Sequence, residues 1–319
     1  PVSRFLCACP PAPRPPPQRK RDTGDMADDP LFDARNHFHL GHFQSAVNDS
    51  TSCNVASDAM RVDRDCIMYR AYIEQGNVAV VLSEINNQSP PAVRAVRLLA
   101  EYKHGDDAAK QAAIASLREL LAAPGAAGDV HLTVIAATLF SHEKDYKEAL
   151  KWVHQAQTLE QHSMMTHIYI SMHRVDLAEK QVALMQRVDD DATLTQLAAA
   201  SAMLAKGNAK AQDALYIYQD LSEKYGPSTL LLNSLATCNM LMGKHEEAEQ
   251  HLQEALGKNP ADPTTLANAV VCMQHLKKSP DVVARYVTQL RMAAPSHPWV
   301  EAYNSIERSF DRCAAQLSR

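Results

Sequence analysis

Residues 229–260 read TLLLNSLATCNMLMGKHEEAEQHLQEALGKNP, and this stretch decides the fold. Apolar residues recur at helical spacing on both sides of Gly243, and Pro260 closes the segment. A glycine between two helical runs permits the left-handed turn that reverses the chain. Ala236 and Ala248 are small, as residues must be where two helices cross closely. We therefore predict a helix-turn-helix unit here.

The same pattern recurs along the chain. The second helix has a copy 34 residues upstream, with the matching pairs Ala214/Ala248, Tyr218/Leu252 and Leu221/Ala255. More degenerate copies begin near Gly41, Gly76, Tyr146, Leu177 and Leu266. A period of 34 residues with this order of small, large and turn residues is typical of tetratricopeptide repeats. The sequence thus predicts an all-α fold, a right-handed α-α superhelix that is a TPR-like solenoid of helix-turn-helix repeats.

Copy spacing is uneven, because Ala149 and Ala178 are only 29 residues apart where 34 is expected. We therefore expect the pitch of the superhelix to change along its length.

Composition agrees with a helical chain, since only 10 residues are glycine and only 6% are aromatic.

Proline usage divides the chain. Seven of the 17 prolines lie in residues 1–25, and the other ten fall between apolar-periodic segments. We expect residues 1–25 to form a disordered Pro/Arg-rich head, and residues 26–319 to form a single solenoid with a C-terminal capping helix from about His297. The first methionine is Met26, so we hypothesise that the natural chain begins there; the intact mass of protein from its natural source would test this.

The charge and the cysteines bear on partners and compartment. The net charge is −5 overall and about −8 without residues 1–25, which disfavours binding to nucleic acid or to anionic lipid. No run is apolar enough for a membrane span. Seven scattered cysteines without a secretory signal indicate free, structural thiols on the cytosolic side.

Signatures of common catalytic sites are absent from the sequence: it has no Gly-rich phosphate loop, nucleophile elbow or His-Glu-x-x-His. His37 and His39 would point about 200° apart on one helix, so a shared metal ion is disfavoured. For Asp189–Asp191 we favour helix capping over a cation site. We expect no enzyme activity, no cofactor and no metal; an unrecognised histidine site stays an alternative that elemental analysis would detect.

Binding is the remaining function class. The first helices of successive repeats line a concave groove, and in the clearest repeat the standard geometry places four residues there: Asn233, Thr237, Met240 and Leu241. A TPR adaptor or co-chaperone that binds acidic peptide tails is the main alternative, although Asn233, Thr237 and Leu241 do not supply the cations that such tails need.

Several strings in order resemble the epsilon subunits of coatomer, the coat complex of Golgi-derived vesicles. They are LFDARN at 31–36 with Gly41 soon after, YRAY at 69–72, DATLTQLA at 191–198, LLLN at 230–233, and His297-Pro298 followed by Phe310-Asp311-Arg312. The resemblance covers about residues 30–313, and residues 1–25 depart from the family pattern.

The resemblance implies a non-catalytic coat subunit. It would wrap its solenoid around the C-terminal region of the coatomer alpha subunit and stabilise the coat in retrograde Golgi-to-ER and intra-Golgi transport. The resemblance also implies a peripheral location on the cytosolic face of Golgi membranes and vesicles, with contact to the membrane only through the rest of the coat.

Overall fold

The structure, a computed structural model, describes residues 29–55 and 57–317. In these residues it contains seventeen α-helices and one short 3-10 turn, Ala126–Gly128, and no strand. The all-α prediction is confirmed. The head predicted for residues 1–25 lies outside the described residues. Within them, no helix is both long enough and apolar enough to cross a bilayer.

The helices follow one another as pairs, which we number as repeats 1 to 8. Repeats 1 to 4 are α1 (Phe32–His39) with α2 (Phe43–Ser52), α3 (Asp58–Glu74) with α4 (Val78–Glu84), α5 (Pro91–His104) with α6 (Asp107–Leu121), and α7 (Val130–His142) with α8 (Tyr146–Val153). Repeats 5 to 8 are α9 (Leu159–Ser171) with α10 (Val175–Val188), α11 (Thr193–Ala205) with α12 (Asn208–Tyr225), α13 (Thr229–Leu241) with α14 (His245–Lys258), and α15 (Pro263–His275) with α16 (Pro280–Ala293). A single helix, α17 (Pro298–Leu317), follows.

A left-handed residue reverses the chain in seven of the eight described repeats, with φ between 52° and 86°: Gly41, Gly76, Lys144, His173, Gly207, Gly243 and Lys277. The turn predicted at Gly243 is confirmed. Three turns use a lysine or histidine instead of glycine, although φ above zero disfavours a side chain. These repeats therefore look degenerate in sequence while keeping the same turn.

In five of these repeats, the residue five positions after the left-handed residue is alanine or valine. The five residues, Ala46, Val81, Ala149, Ala178 and Ala248, are all 0% exposed. At this position the second helix crosses the first of its own repeat, and a larger side chain would push the axes apart. The predicted role of Ala248 is confirmed, and Ala236 on the facing helix is also 0% exposed.

The short spacing between Ala149 and Ala178 has a local cause. Helix α8 contains only 8 residues, whereas its counterpart α14 contains 14. A capping box begins α9 soon afterwards, because the Thr158 hydroxyl accepts a hydrogen bond from the Gln161 amide while the Gln161 side chain bonds back to the backbone of Thr158. Helix α8, the second helix of repeat 4, is therefore short because the capping box starts helix α9 soon after it.

Prolines occupy helix starts and linkers. Pro91, Pro263, Pro280 and Pro298 are each the first residue of a helix, where the missing amide hydrogen costs nothing.

The capping predicted for Asp189–Asp191 is wrong in its detail. The N-cap of α11 is Ala192, which has no side-chain acceptor, and the Asp189 carboxylate instead accepts a hydrogen bond from the Asp191 amide.

The described cysteines differ in burial, and Cys53 is half-buried. Cys66, Cys238 and Cys272 are free and buried, and burial raises the pKa of Cys238 to about 12 and of Cys272 to about 11. These thiols act as small apolar residues, as predicted. Cys313 is free but exposed on α17, so a structural role for every cysteine was wrong there. Cys7 and Cys9 lie outside the described residues.

The last helix is amphipathic but only partly packed. Val300 is its buried residue, and it joins an apolar cluster with Leu266 and Leu290. Further along, Ile306 and Phe310 are each 71% exposed. The first turns of α17 therefore cover the end of repeat 8, and that it caps the array stays a prediction.

The first repeat folds back onto repeats 6 and 7. Helix α1 contacts α11, and Leu40, which follows α1, is 0% exposed in an apolar cluster with Leu215, Leu231 and Leu235. Because repeat 1 also packs on repeat 2 through α2 and α3, the solenoid closes into a ring. The first helices of the repeats face the interior of this ring.

An ion pair crosses the ring. The Arg70 guanidinium on α3 donates to a Glu160 carboxylate oxygen on α9 at 2.7 Å, and their side chains are only 14% and 20% exposed. Burial alone would raise the pKa of Glu160, but the charges of Arg70, His39 and His131 together outweigh it and lower this pKa to about 2. The pair therefore ties repeat 2 to repeat 5.

Replacing glycine by alanine should have opposite effects at two positions in repeat 7. Gly243→Ala places a side chain at φ 78° and should destabilise the fold by about 1 kcal/mol. Gly257→Ala, inside α14 with open space around the added carbon, should stabilise it by about 0.5 kcal/mol. Urea unfolding of both variants measures this, and shifts of the same sign would contradict the left-handed turn.

Glu160 should dominate the acid sensitivity of the fold. Its folded pKa of about 2 is below the ordinary 4.5, so its stabilising effect is full above pH 4.5 and is lost as pH falls toward 2. Glu160→Gln should remove about 3 kcal/mol from the pH dependence of unfolding over that window. The matched control is Glu254→Gln, on the exposed face of α14. Equal acid slopes for wild type and Glu160→Gln would contradict the prediction.

Candidate partner-binding channel

A cavity of about 330 Å³ lies inside the ring. Its walls come from the first helices of repeats 1, 2, 4, 5, 6 and 7, and from Tyr218 of α12. Representative lining residues are His39, Arg70, Val134, Glu160, Leu194 and Leu230. Because six repeats contribute to one cavity, its shape depends on the closure of the solenoid and not on any single repeat. We call it the inner cavity.

A second cavity of about 770 Å³ adjoins the first. We call it the outer cavity; it opens between repeats 1 and 2 on one side and repeats 5 to 8 on the other. The two cavities share five lining residues, namely His167, Ser201, Tyr218, Leu230 and Ser234. Shared walls make them two parts of one channel, and its combined size exceeds what a single side chain of a partner would fill.

Amide and hydroxyl groups line the wall of the outer cavity formed by repeats 7 and 8. Asn233 Nδ2 donates to Thr265 Oγ1 at 2.7 Å, and Asn268 Nδ2 donates to Asn233 Oδ1 at 3.1 Å. The Asp262 carboxylate caps α15 by accepting from the Thr265 amide at 2.7 Å. Hydrogen bonds between α13 and α15 thus hold these polar side chains in place. Groups that both donate and accept can bind the backbone of an extended polypeptide without using charge.

Charges within the channel largely cancel. In the inner cavity Arg70 is paired with Glu160, and burial lowers the pKa of His39 to about 4 and lowers that of His167. Both histidines are therefore neutral at pH 7. Among the described lining positions of the two cavities, the basic residues are Arg70 and Lys258 and the acidic residues are Glu74, Glu160 and Asp262. The channel therefore offers a nearly neutral, part-apolar surface.

The four residues predicted to face the partner divide into two groups. Asn233 and Thr237 line the outer cavity. Met240 instead packs against the apolar cluster around Ala236, where α13 crosses α14. Leu241 is 40% exposed and lies in the last turn of α13, outside both cavity linings. Two of the four residues therefore line the channel and two do not, and contact of any of them with a partner stays a prediction.

The histidines of the first repeat have separate partners. His37 Nδ1 lies 2.6 Å from the Asp49 carboxylate, whereas His42 Nε2 lies 3.1 Å from the carbonyl oxygen of Gly226. Across residues 29–55 and 57–317, no group of three or more His, Cys, Asp or Glu side chains is arranged to hold a metal ion.

Sequence reasoning missed the charged pair of the inner cavity. Arg70 lies in the string YRAY, and Glu160 follows the start of α9, but 90 residues separate them. The available signal was a charged residue on the helical stripe that should face inward. That signal does not name its partner, because contacts across a closed ring have no characteristic spacing in sequence.

Solved structures with this fold are tetratricopeptide repeat proteins. A chain of the APC/C hetero-tetramer Cut9-Hcn1 superimposes with a TM-score of 0.59 at 12% identity, over 84% of this chain and 53% of that one. A tetratricopeptide repeat protein from Parabacteroides merdae superimposes with a TM-score of 0.56 at 12% identity, over 82% of this chain and 96% of that one. At these identities the likeness concerns the fold alone.

Sequence comparison identifies the family. Coatomer subunit epsilon-1 of Arabidopsis thaliana is 46% identical over 284 residues, which cover 89% of this chain and 96% of that protein. The coatomer epsilon subunit of Dictyostelium discoideum is 33% identical over 293 residues, covering 90% and 98%. The sequence model of the family Coatomer epsilon subunit matches residues 27–318. Together with the TPR-like solenoid, these matches show that the chain belongs to the coatomer epsilon subunit family.

Proposed function

We propose that this chain is a non-catalytic subunit of the coatomer vesicle coat, and that its channel holds a segment from the C-terminal region of the alpha subunit. The observation that carries the proposal is the channel itself, which seven repeats line and which carries little net charge. A surface of this kind suits a polypeptide segment better than a small charged ligand. Family membership supports the place in the coat.

Enclosure explains how such a subunit would work without chemistry. A segment that is surrounded by first helices from many repeats buries contact area on all sides, so binding needs no single strong contact. The amide and hydroxyl groups of Asn233, Thr237 and Asn268 would meet backbone groups of the segment. The partner would in turn bridge opposite walls of the ring and stabilise its closed form.

The proposed location follows from this role. The subunit would act on the cytosolic face of Golgi membranes and coated vesicles, in Golgi-to-ER retrograde and intra-Golgi transport. Contact with the membrane would run through the rest of the coat, and the net charge of −5 disfavours direct binding to anionic lipid or nucleic acid.

An adaptor that captures acidic peptide tails is the alternative. Such capture requires unpaired cations that point into the groove. Arg70 is already paired with Glu160, and Lys258 is the other lysine or arginine among the described lining residues. This arrangement favours the coat function, and tight binding of a short acidic peptide by the isolated protein would favour the adaptor.

A lysine scan along α13 should locate the interface. Thr237→Lys puts a charge into the outer cavity and should weaken binding of the recombinant C-terminal region of the alpha subunit at least about tenfold, because the charge would be desolvated without a partner. Leu241→Lys, one turn further on and exposed, should change the affinity less than about twofold.

Isothermal titration calorimetry measures both affinities, and circular dichroism checks that both variants are folded. A large loss from Leu241→Lys with none from Thr237→Lys would place the interface outside the channel. Undetectable binding by the wild-type protein would refute the proposed partner.

A further inference from the structure

The start of α16 in repeat 8 is packed more loosely than the start of α14 in repeat 7. A fully buried alanine, Ala248, lies in the first turn of α14, whereas the buried residues of α16 are Val287 and Leu290, both beyond its first turn. A cavity of about 510 Å³ lies beside the start of α16, with Pro280 and Val283 in its lining. Because few contacts hold this first turn, it can unwind while the rest of repeat 8 stays folded.

The turn that leads into α16 presents a serine with an unused hydroxyl. Residues 277–281 read KKSPD and are all exposed. Ser279 has extended backbone angles, φ −58° and ψ 145°, and the proline that follows favours this conformation. Although Ser279 is the N-cap of α16, its hydroxyl does not cap the helix, and within residues 29–55 and 57–317 it has no hydrogen-bond partner. Protein kinases need an accessible hydroxyl in an extended segment, and Ser279 supplies one.

A second serine that precedes a proline differs in its surroundings. Two serines of the sequence do so, Ser89 and Ser279. Ser89 is half-buried; its Oγ accepts a hydrogen bond from the Asn86 amide at 3.3 Å and donates to Asn86 Oδ1 at 3.5 Å. These bonds hold Ser89 within a local turn. The sequence alone makes the two serines similar, and the structure separates them.

Positive charge precedes the Ser279 hydroxyl. Lys277 and Lys278 come directly before it, and Lys278 Nζ lies 3.1 Å from a Glu249 carboxylate oxygen on α14. Lys277 has no ion-pair partner in the part of the chain that the structure describes. Asp281 is the acidic residue in the first turn of α16, so the two lysines outnumber it. A phosphate on Ser279, with a charge of about −2, would therefore gain ammonium partners on side chains long enough to reach it.

We propose that Ser279 is a phosphorylation site for a proline-directed serine kinase, and that the phosphate orders the first turn of α16. The Ser279 oxygen attacks the γ-phosphorus of ATP, so that an O–P bond to the serine forms while the bond to the bridging oxygen of ADP breaks. ADP leaves with that electron pair, and the hydroxyl proton passes to the catalytic carboxylate of the kinase.

The product would be held by its surroundings. The phosphate accepts hydrogen bonds from the two lysines, and its negative charge is favoured at the N-terminus of α16. This inference goes beyond the proposed function and does not depend on it, because residues 277–281 lie outside the linings of the inner and outer cavities.

A kinase assay tests the acceptor. The probes are recombinant proline-directed kinases of the cyclin-dependent and mitogen-activated classes with magnesium ATP, and a synthetic peptide of residues 274–284 is the positive control for each kinase. Mass spectrometry of the folded wild-type protein should find one phosphoryl group, on Ser279. Ser279→Ala and Pro280→Ala should each lower the initial rate at least about tenfold, whereas the matched control Ser89→Ala should change it less than about twofold.

Two results would overturn the assignment. One is phosphoryl uptake at Ser89 as fast as at Ser279. The other is a folded protein that both kinases leave unmodified at Ser279, whether or not they phosphorylate the peptide. The two alanine variants and the control change exposed or half-buried side chains, and circular dichroism checks that each is folded.

Amide hydrogen exchange tests the effect on α16. In the phosphorylated wild-type protein, residues 282–286 should exchange at least about threefold more slowly than before, with α5 as the unchanged internal reference. The double variant Lys277→Ala with Lys278→Ala, once phosphorylated at Ser279 and purified, should lose most of this protection. Exchange in residues 282–286 that is unchanged or faster after phosphorylation of the wild type would contradict the ordering role.

Discussion

The close crossing of the two helices within each repeat is the constraint on which the structure depends. A left-handed residue ends the first helix, and a small buried residue five positions later, such as Ala149 or Ala248, lets the second helix lie against it. Neither helix can hide its apolar stripe alone, so each pair must stack on the next. This keeps all the first helices on one side, where they form the wall of the channel.

Ring closure changes the physics of that wall. In an open solenoid, inward side chains face water, and charges there would be screened. Here Arg70 and Glu160 meet across the interior with little exposure, and His39 is kept neutral beside them. The interior therefore combines a fixed ion pair with an otherwise weakly charged lining. Such a surface favours a partner that brings shape and backbone hydrogen bonds rather than charge.

Degenerate repeats show that the backbone is more regular than the sequence. Lys144, His173 and Lys277 adopt the same left-handed turn that glycine adopts elsewhere, and Val81 replaces alanine at the helix crossing. Packing of the neighbouring helices offsets the strain at these turns, which costs of order 1 kcal/mol each. A search for the repeat by glycine and alanine alone is therefore bound to miss copies that the fold retains.

For this protein, local sequence determined the all-α fold, the repeat, the turn at Gly243 and the position of Asn233 and Thr237 on α13. Those features arise from interactions within about one repeat, and their spacing is visible in the chain. Only the tertiary structure decided that Leu40 is seated beside Ser228, that Arg70 pairs with Glu160, and that Leu241 lies beyond the channel. The reason is physical: small differences in the angle between successive repeats add up around the ring, and no single residue encodes where the two ends meet.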